Sequence, residues 1–440
     1  MNLRSFSELN DFVRHGLRNA ETLIHKGELR TAAETLNALH RQAPGDWRIH
    51  LIAIQLAEAA GNRPAARESA ERAVTMAPEA ATALIEWARV LSRDGEHEAA
   101  LEAAKKAAAK VNDDDELVLS RAVAVANAAG DWAFAQATLR RALSARPGDA
   151  NVLRALAYNA INRRAFEEAV DWCEQVLAQL PEDELALSFR AWVRLEQGEL
   201  TAAAQDYERL LALRPDHEEY RYYLALARGE TPPAQPKSIT ERIVEGYASQ
   251  FDELVVQQLG YYAPRRAAEL IHEAWPAKNA SVLDLGCGSG LLGLYLGPIQ
   301  GSLVGVDFSQ TMLDQAKTRG YDRLHKCDLR DALRDTPPEQ YEVIAALDVF
   351  VYVGALEPCM GDIVRILRPQ GMVVLTFERS DGPPLELRRT GRFAHAIEDV
   401  THKLEAAGLT EVRIEELTLR YEAGAPIAGF IATARKPRIQ

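Results

Sequence analysis

The residues best suited to bind a ligand lie in the segment 282–290, where an apolar run ends in three glycines at alternate positions. Gly286, Gly288 and Gly290 permit positive φ and carry no Cβ, so a ligand can lie directly on the backbone amides where the next helix begins. Asp284 stands two residues before the first of these glycines. A pyrophosphate gains nothing from this carboxylate, whereas a ligand with an ammonium and a sulfonium is attracted to it. The pattern predicts a site for S-adenosylmethionine.

A dinucleotide site is the competing interpretation, because the segment 288–293 also has the G-x-G-x-x-G spacing. Asp307 ends a second apolar run 19 residues after Gly288, and it suits the ribose hydroxyls of either cofactor. Asp328 ends a third predicted strand, where a carboxylate can accept a hydrogen bond from an adenine amino group. Asp348 ends a fourth. These later acids favour a methyltransferase over a nicotinamide enzyme.

Residues 240–440 resemble a class I S-adenosylmethionine-dependent methyltransferase in the glycine turn, the four strand-end acids and the Arg-Pro-x-Gly sequence at 368–371. The resemblance implies a Rossmann-like α/β domain with a seven-stranded sheet. Its last strand would be antiparallel, in a hairpin of residues 412–421 and 427–434. The residues expected to bind the cofactor are Asp284, Gly286, Gly288, Gly290, Asp307, Phe308, Met312, Asp328, Leu329, Asp348, Tyr247 and Phe251.

A lid is predicted over residues 240–275, with Tyr247 and Phe251 four residues apart on one helix face. The segment 247–264 resembles the lid helix of a bacterial family of methyltransferases that carry tetratricopeptide repeats. The resemblance implies that an aromatic residue of the lid covers the methionine end of the cofactor. The alternative is an amphipathic helix that only docks on the sheet.

Methyl transfer requires alignment of the acceptor and exclusion of water, and an acceptor oxygen or ammonium also requires a base. His395, whose ordinary pKa is near neutrality, and Tyr352 are the predicted catalytic residues. A hydrogen bond at a helix start is the alternative role for His395, since the segment 388–395 is expected to open a late helix. Arg389 and Arg392 are predicted to bind an anionic substrate, although solvated charge on a loop explains them equally well.

The upstream half contains an internal repeat. Glycines recur at spacings of 34, 34, 35 and 68 residues, at Gly27, Gly61, Gly95, Gly130 and Gly198. These recurring positions are called slots below, and Arg164 occupies the one slot that has no glycine. An alanine stands five residues after each slot, at Ala32, Ala66, Ala100, Ala135, Ala169 and Ala203. This period predicts six tetratricopeptide repeats over 13–217 and a capping helix, hence an all-α solenoid over 1–229. A stiff, proline-rich linker is expected at 230–239.

Composition limits the partners and the compartment. The net charge is −13; residues 239–440 hold 22 basic and 28 acidic residues, or −6, which leaves −7 upstream, so neither half is suited to nucleic acid. We expect a cytoplasmic protein without a membrane partner, because no apolar stretch approaches about 18 residues and a signal-peptide core is lacking. The four isolated cysteines predict no metal site.

The predicted function is methyl transfer from S-adenosylmethionine to a small molecule or to a protein recruited by the repeat groove. That groove is equally able to bind a separate protein partner or a second copy of the chain. The alternative function is an interaction scaffold that binds S-adenosylmethionine or its demethylated product without turnover.

Overall fold

A computed structural model describes residues 6–248, 261–388, 390–422 and 425–438. The chain divides into two compact units, Met1–Glu199 and Leu200–Gln440. This division falls inside the sixth predicted repeat and not at residue 229, where the solenoid is predicted to end.

The first unit is a series of helices joined by short turns. They are α1 (Phe6–His25), α2 (Leu29–Gln42), α3 (Arg48–Ala59), α4 (Arg63–Met76), α5 (Ala81–Arg93), α6 (His97–Ala108), α7 (Glu116–Ala128), α8 (Trp132–Ala145), α9 (Ala150–Asn162), α10 (Phe166–Gln179) and α11 (Glu184–Gln197). Consecutive helices such as α3 with α4 and α5 with α6 pack against each other. This arrangement confirms the predicted solenoid class.

The turn within each repeat requires a left-handed residue. The five glycines at the predicted slots have φ between 69° and 86°. Arg164, in the slot without glycine, adopts the same conformation with φ 58°. Because the left-handed region costs a residue with a Cβ about 1–2 kcal/mol, the packing of the repeat must impose this turn.

The alanines of the repeat allow the two helices of a unit to approach closely. Ala32, Ala66, Ala100, Ala135 and Ala169 are all completely buried. A longer side chain at these positions would meet the facing helix. The small residue is therefore a packing requirement of the repeat.

The second unit begins with helices and continues as an α/β domain. Its helices are α12 (Leu200–Leu213), α13 (Glu218–Arg228), α14 (Lys237–Ala248), α15 (Ala263–Ala274), α16 (Leu291–Leu296), α17 (Gln310–Ala316), α18 (Leu329–Asp335), α19 (Glu357–Ile366) and α20 (Ile397–Ala406). Its strands are β1 (Val282–Leu285), β2 (Leu303–Asp307), β3 (Arg323–Lys326), β4 (Tyr341–Ala346), β5 (Leu367–Arg379), β6 (Leu385–Leu387), β7 (Phe393–His395), β8 (Thr410–Glu422) and β9 (Ala425–Arg435).

The strands form one sheet in the order β3-β2-β1-β4-β5-β7-β6, with β9 paired to both β5 and β8. Strands β1 to β5 are parallel, and β9 runs antiparallel to both neighbours. The predicted Rossmann-like domain with an antiparallel last strand is confirmed. The sheet has nine strands in the described residues, not the predicted seven, because β6 and β7 extend it beyond β5.

Helices cover both faces of this sheet. Leu283 and Ile344 belong to a core that contains residues of α18, α19 and α20. Val282 and Val343, their neighbours along β1 and β4, belong to a second core that contains residues of α15 and α16. Burial on both faces explains why these strands are continuously apolar in the sequence.

The segment 388–395 does not open a helix, contrary to the prediction. Its last three residues form β7, in which Ala394 pairs with Glu378 of β5 and with Glu386 of β6. These three residues are completely buried. A strand of three residues without an exposed side has no alternating pattern, so the sequence gives no sign of it.

The proline-rich residues 230–236, called the proline segment below, lie in the range 230–239 that is predicted as a stiff linker, and they contact the loop after β4. The amide of Gln235 donates to the carbonyl of Tyr352 at 3.0 Å. The amide of Ala355 donates to the carbonyl of Pro233 at 2.7 Å. The proline segment is thus bound to the loop that follows β4.

Helix α13, predicted as the cap of the solenoid, belongs to the core of the second unit. Tyr222 of α13 packs with Ile239 and Phe393 in one buried cluster. Its hydroxyl donates to the carbonyl of Gly391 at 2.6 Å. Burial raises the pKa of this phenol, so it remains a hydrogen-bond donor.

The described residues contain neither a membrane-spanning helix nor a cluster of metal ligands. None of these helices combines the length and apolar composition needed to cross a bilayer. Histidine, cysteine and carboxylate side chains in this part of the chain form no group of three able to hold a metal ion.

Candidate active site

A cavity of about 740 Å³ opens at the carboxyl ends of the parallel strands of the second unit. Ligands bind at this edge of open α/β sheets because the loops leave a crevice there. Small-molecule sites measure about 300–1,000 Å³. The lining comes from the turn after β1, the loops after β2, β3 and β4, the proline segment, helices α13 and α14, and the residues Tyr261 and Pro264.

The glycine turn presents bare backbone to this cavity. Gly286 and Gly288 line it with φ of 69° and 53°. A Cβ on Gly288 would meet no atom within 4 Å, whereas one on Gly286 would lie 2.5 Å from Cγ2 of Val349. Gly290 does not belong to the lining; a Cβ there would lie 2.9 Å from the ring of Tyr321. In this structure Gly290 permits close packing at the start of α16.

Asp284 places a buried carboxyl group at the cavity. Only 2% of the residue is exposed. Burial raises its pKa to about 7, although the hydroxyl of Tyr321 donates to Oδ2 at 2.6 Å and opposes this shift. Near neutral pH the group exists in both protonation states, and a cationic ligand would favour the ionised one. Tyr321 precedes β3 without any recognisable motif, so sequence reasoning missed it.

Asp307 is fixed by backbone amides at the end of β2. The amide of Gly288 donates to its Oδ2 at 2.9 Å, and the amide of Ser309 donates to its Oδ1 at 2.8 Å. Burial raises the pKa of Asp307, and these hydrogen bonds act in the opposite direction. A carboxylate has about four acceptor positions, so both oxygens can still accept from ligand hydroxyls.

Asp328 follows β3 and also reaches the cavity. It caps α18, since its side chain accepts from the amide of Arg330 at 2.8 Å. The other predicted cofactor residues that line the cavity are Phe308, Met312, Leu329 and Asp348. The structure thus brings residues from four strand ends to one site.

Asp348, which follows β4, belongs to an ion-pair network that runs through Arg420. It has a positive φ of 58°. Nη1 of Arg420 donates to both of its carboxylate oxygens, at 2.9 and 3.0 Å. Nη2 of Arg420 donates to Glu378, which is also paired with Arg388 at 3.1 Å. Arg420 lies on β8, 72 residues after Asp348. No sequence motif indicates that Asp348 and Arg420 form an ion pair.

Two tyrosines line the cavity near Asp348, Tyr261 and Tyr352. Burial raises the pKa of both phenols, and the negative charge of Asp348 contributes to the shift. Both therefore stay protonated near neutral pH. Tyr352, predicted to be catalytic, is suited to donate a hydrogen bond rather than to accept a proton.

His395, the predicted base, is not among the residues that line the cavity. It is completely buried in β7, with Nε2 3.0 Å from the carbonyl oxygen of Gly354. Its ring meets that of Phe377 edge to face at 5.1 Å between centroids. Burial lowers its pKa to about 4, so the ring is neutral near pH 7. This placement gives His395 a packing role and no route to an acceptor.

The remaining predicted residues are placed as follows. Arg392 lies 3.9 Å from Glu378 and hydrogen-bonds Tyr352, and it does not line the cavity. Arg389 and Phe251 lie outside the described residues. The backbone of Tyr247 belongs to α14, but its side chain is outside the described part of the chain.

Comparison with known proteins identifies both parts of the chain. Residues 283–373 match the family model of a methyltransferase domain. Tetratricopeptide-repeat models match residues 53–115, 126–193 and 190–228. The ubiquinone biosynthesis O-methyltransferase of Bartonella tribocorum is 30% identical over 109 residues, which cover 24% of this chain and 44% of that protein. The chain thus spans less than half the length of the curated relatives that it matches.

Two solved structures are similar to portions of the chain. The 1,6-didemethyltoxoflavin-N1-methyltransferase of Burkholderia thailandensis, with bound S-adenosylhomocysteine, has a TM-score of 0.38 and 20% identity over 47% of this chain and 93% of that one. The type IV pilus biogenesis factor PilW has a TM-score of 0.42 and 17% identity over 48% of this chain and 98% of that one.

The fold and these matches define the class: the second unit contains a methyltransferase domain of the Rossmann-like type. More narrowly, the chain is a tetratricopeptide-repeat protein that carries a class I methyltransferase domain.

Proposed function

We propose that this protein transfers a methyl group from S-adenosylmethionine to an acceptor that enters the cavity of the second unit. The observation that carries the proposal is the convergence of Asp284, Asp307 and Asp328 with the bare backbone of Gly286 and Gly288 in one cavity. The match to a methyltransferase domain supports the same function.

The lining residues fit the polar parts of S-adenosylmethionine. Asp284 provides a carboxylate for the cationic methionine end. Asp307 keeps acceptor positions for the ribose hydroxyls, and Asp328 provides an acceptor for the adenine amino group. Phe308 and Met312 add apolar surface to the same part of the cavity. An uncharged or anionic ligand would gain less from three acids.

When bound, S-adenosylmethionine would supply a methyl group already activated by its sulfonium, so the protein mainly has to orient the acceptor and exclude water. Tyr352 remains protonated and can orient an acceptor oxygen or nitrogen by donating to it. Asp348, held by Arg420, is the carboxylate on the β4 side of the cavity. We assign to Asp348, in place of His395, the acceptance of the proton that a hydroxyl acceptor releases.

The atom that is methylated is proposed to be an oxygen. The curated relatives from Bartonella tribocorum and Bartonella quintana are named as O-methyltransferases. A hydroxyl acceptor also suits a site that offers one carboxylate and one protonated phenol. The match covers 24% of this chain, so the particular acceptor of those relatives is not transferred to it.

Isothermal titration calorimetry tests the cofactor. We expect the full chain to bind S-adenosylhomocysteine and not NAD. Asp307→Ala should weaken this binding by about 1.5–3 kcal/mol, the value of hydrogen bonds to a charged group. Asp314→Ala is the matched control, because Asp314 is exposed on α17 and does not line the cavity. Binding of NAD without binding of S-adenosylhomocysteine would refute the proposal.

Turnover requires a separate measurement. The full chain is incubated with S-adenosylmethionine labelled in its methyl group and with a cell extract, and transferred label is measured. Asp348→Asn should reduce transfer strongly and leave the affinity for S-adenosylhomocysteine nearly unchanged. Binding without any transfer would favour the scaffold alternative.

A further inference from the structure

The cavity extends beyond the acids assigned to the cofactor. The sheet order β3-β2-β1-β4 places Asp328, Asp307 and Asp284 over three consecutive strands. The proline segment lies past them, because Ala234 forms a bridge with Val353 after β4. The cavity therefore has a cofactor end over β1 to β3 and a second end at β4, called the acceptor end below.

Helix α13 and the proline segment supply one side of the acceptor end. Apolar residues that line the cavity on this side are Leu224, Ala225, Pro232 and Pro233, together with Val349 and Val353 of the loop after β4. Leu224 and Ala225 are less than a tenth exposed. Hydrogen bonds from Gln235 and Ala355 hold the proline segment in place. This side is therefore fixed by the core of the second unit.

The charge of Asp348 at the acceptor end is compensated. Asp348 is bound by Arg420, which is itself only 3% exposed. The charged residues of α13 that border the cavity are exposed at its rim, and Arg228 is paired with Glu208 at 2.8 Å. A charged acceptor would lose its hydration inside this rim, where Asp348 is already paired with Arg420. A neutral group can still donate to Asp348 and accept from Tyr352.

We propose that α13 and the proline segment form the acceptor-binding side of the cavity, and that the acceptor is an uncharged small molecule with an apolar body and one hydroxyl group. The proposal rests on the proposed function and names its substrate class. The cationic side chains of protein lysine or arginine fit this end less well than a neutral group, because Asp348 is already paired with Arg420. Ala225 is a small lining residue of α13, so a larger side chain there should occupy space in the site.

Equilibrium dialysis of 2-naphthol, a neutral and flat hydroxylated probe, tests this assignment. The full chain is titrated with and without saturating S-adenosylhomocysteine, and Nα-acetyl-lysine is titrated in parallel. We expect one saturable naphthol site. Ala225→Trp should weaken it about tenfold to a hundredfold, since overpacking costs about 1–3 kcal/mol. Ala225→Leu, a smaller change that is safer for folding, should weaken it less.

The matched control is Ala212→Trp, an alanine-to-tryptophan change at an exposed position of α12 away from the cavity. It should leave naphthol binding unchanged, and all three variants should bind S-adenosylhomocysteine like the wild type. Equal naphthol affinity in the Ala225 variants and the wild type, or saturable binding of Nα-acetyl-lysine, overturns the inference. If the wild type does not bind S-adenosylhomocysteine, the proposed function is contradicted. The acceptor site is still tested in that case, by the naphthol titration done without S-adenosylhomocysteine.

Discussion

Asp284 is the residue whose protonation should control cofactor affinity. Its carboxyl group has a pKa of about 7 in the free protein, because burial disfavours the charge. A ligand ammonium needs the ionised form, so binding must release the proton at lower pH. We expect the affinity for S-adenosylhomocysteine to be about eightfold weaker near pH 6 than near pH 7.5. Calorimetry across this range measures the effect.

Asp284→Asn is the control for this pH dependence. The amide cannot ionise, so the variant should bind more weakly at every pH but lose the slope between pH 6 and 7.5. A wild-type affinity that does not change over this range would contradict the prediction. If the affinity of the variant still changes with pH over this range, another group causes the pH dependence.

His395 should affect stability instead of catalysis. Its pKa is about 4 in the folded chain against 6.5 for an ordinary histidine, since burial disfavours the cation. A lowered folded pKa gives stability that is complete above about pH 6.5 and is lost as the pH falls toward 4. Between pH 7 and 4.5 the wild type should lose about 2.5 kcal/mol more unfolding free energy than His395→Gln. Urea denaturation at both pH values measures this difference.

The variant His395→Gln also distinguishes a packing role of His395 from a role as catalytic base. His395→Gln should keep the affinity for S-adenosylhomocysteine and the pH profile of methyl transfer. If this variant loses the limb of the pH profile near neutrality, His395 acts as a base despite its burial.

At the scale of elements, the side chain of Glu245 connects α14 to the loop after β2 and to the first turn of α17. The carboxylate of Glu245 accepts from the hydroxyl of Ser309 at 2.7 Å and from that of Thr311 at 3.1 Å. Glu245→Ala removes both bonds, so the amides of α14 should exchange with deuterium about fivefold faster. Hydrogen exchange monitored by mass spectrometry measures this change.

Glu241→Ala provides the comparison on the same helix. Glu241 pairs with Lys237 at 3.7 Å, also within α14, so its loss does not detach the helix from the loop after β2. Exchange in this variant should remain close to that of the wild type. Equal acceleration in both variants would mean that the contact of Glu245 does not hold α14.

Elements with a local pattern could be predicted from the sequence. The turns of the repeats follow from a fixed spacing, which revealed the slot of Arg164 although it is not a glycine. Strands β1, β2 and β4 follow from apolar runs that end in acids. Strand β7 could not be predicted, because three buried residues show no period and are held by pairing with β5 and β6.

At the scale of the whole molecule, contacts between residues that are distant in the sequence could not be predicted. Asp284 and Asp307 belong to a recognisable spacing, and the structure places both in one cavity. Tyr321 and Arg420, which bond Asp284 and Asp348, are distant in sequence and carry no motif. The role of the proline segment could not be predicted for a similar reason. Its composition predicts stiffness, but its contact with the loop after β4 depends on the folded structure.

The position of α13 leads to a prediction about where the chain can be divided. A polypeptide of residues 200–440 should fold cooperatively and bind S-adenosylhomocysteine, because it keeps Tyr222 against Phe393 and Ile239. A polypeptide of residues 238–440 lacks this tyrosine and the proline segment. Loss of a large buried aromatic residue costs about 3–5 kcal/mol, so its melting temperature should fall by about 10 °C or more. Differential scanning calorimetry of both polypeptides measures the difference, and equal melting temperatures would show that α13 is only the end of the solenoid.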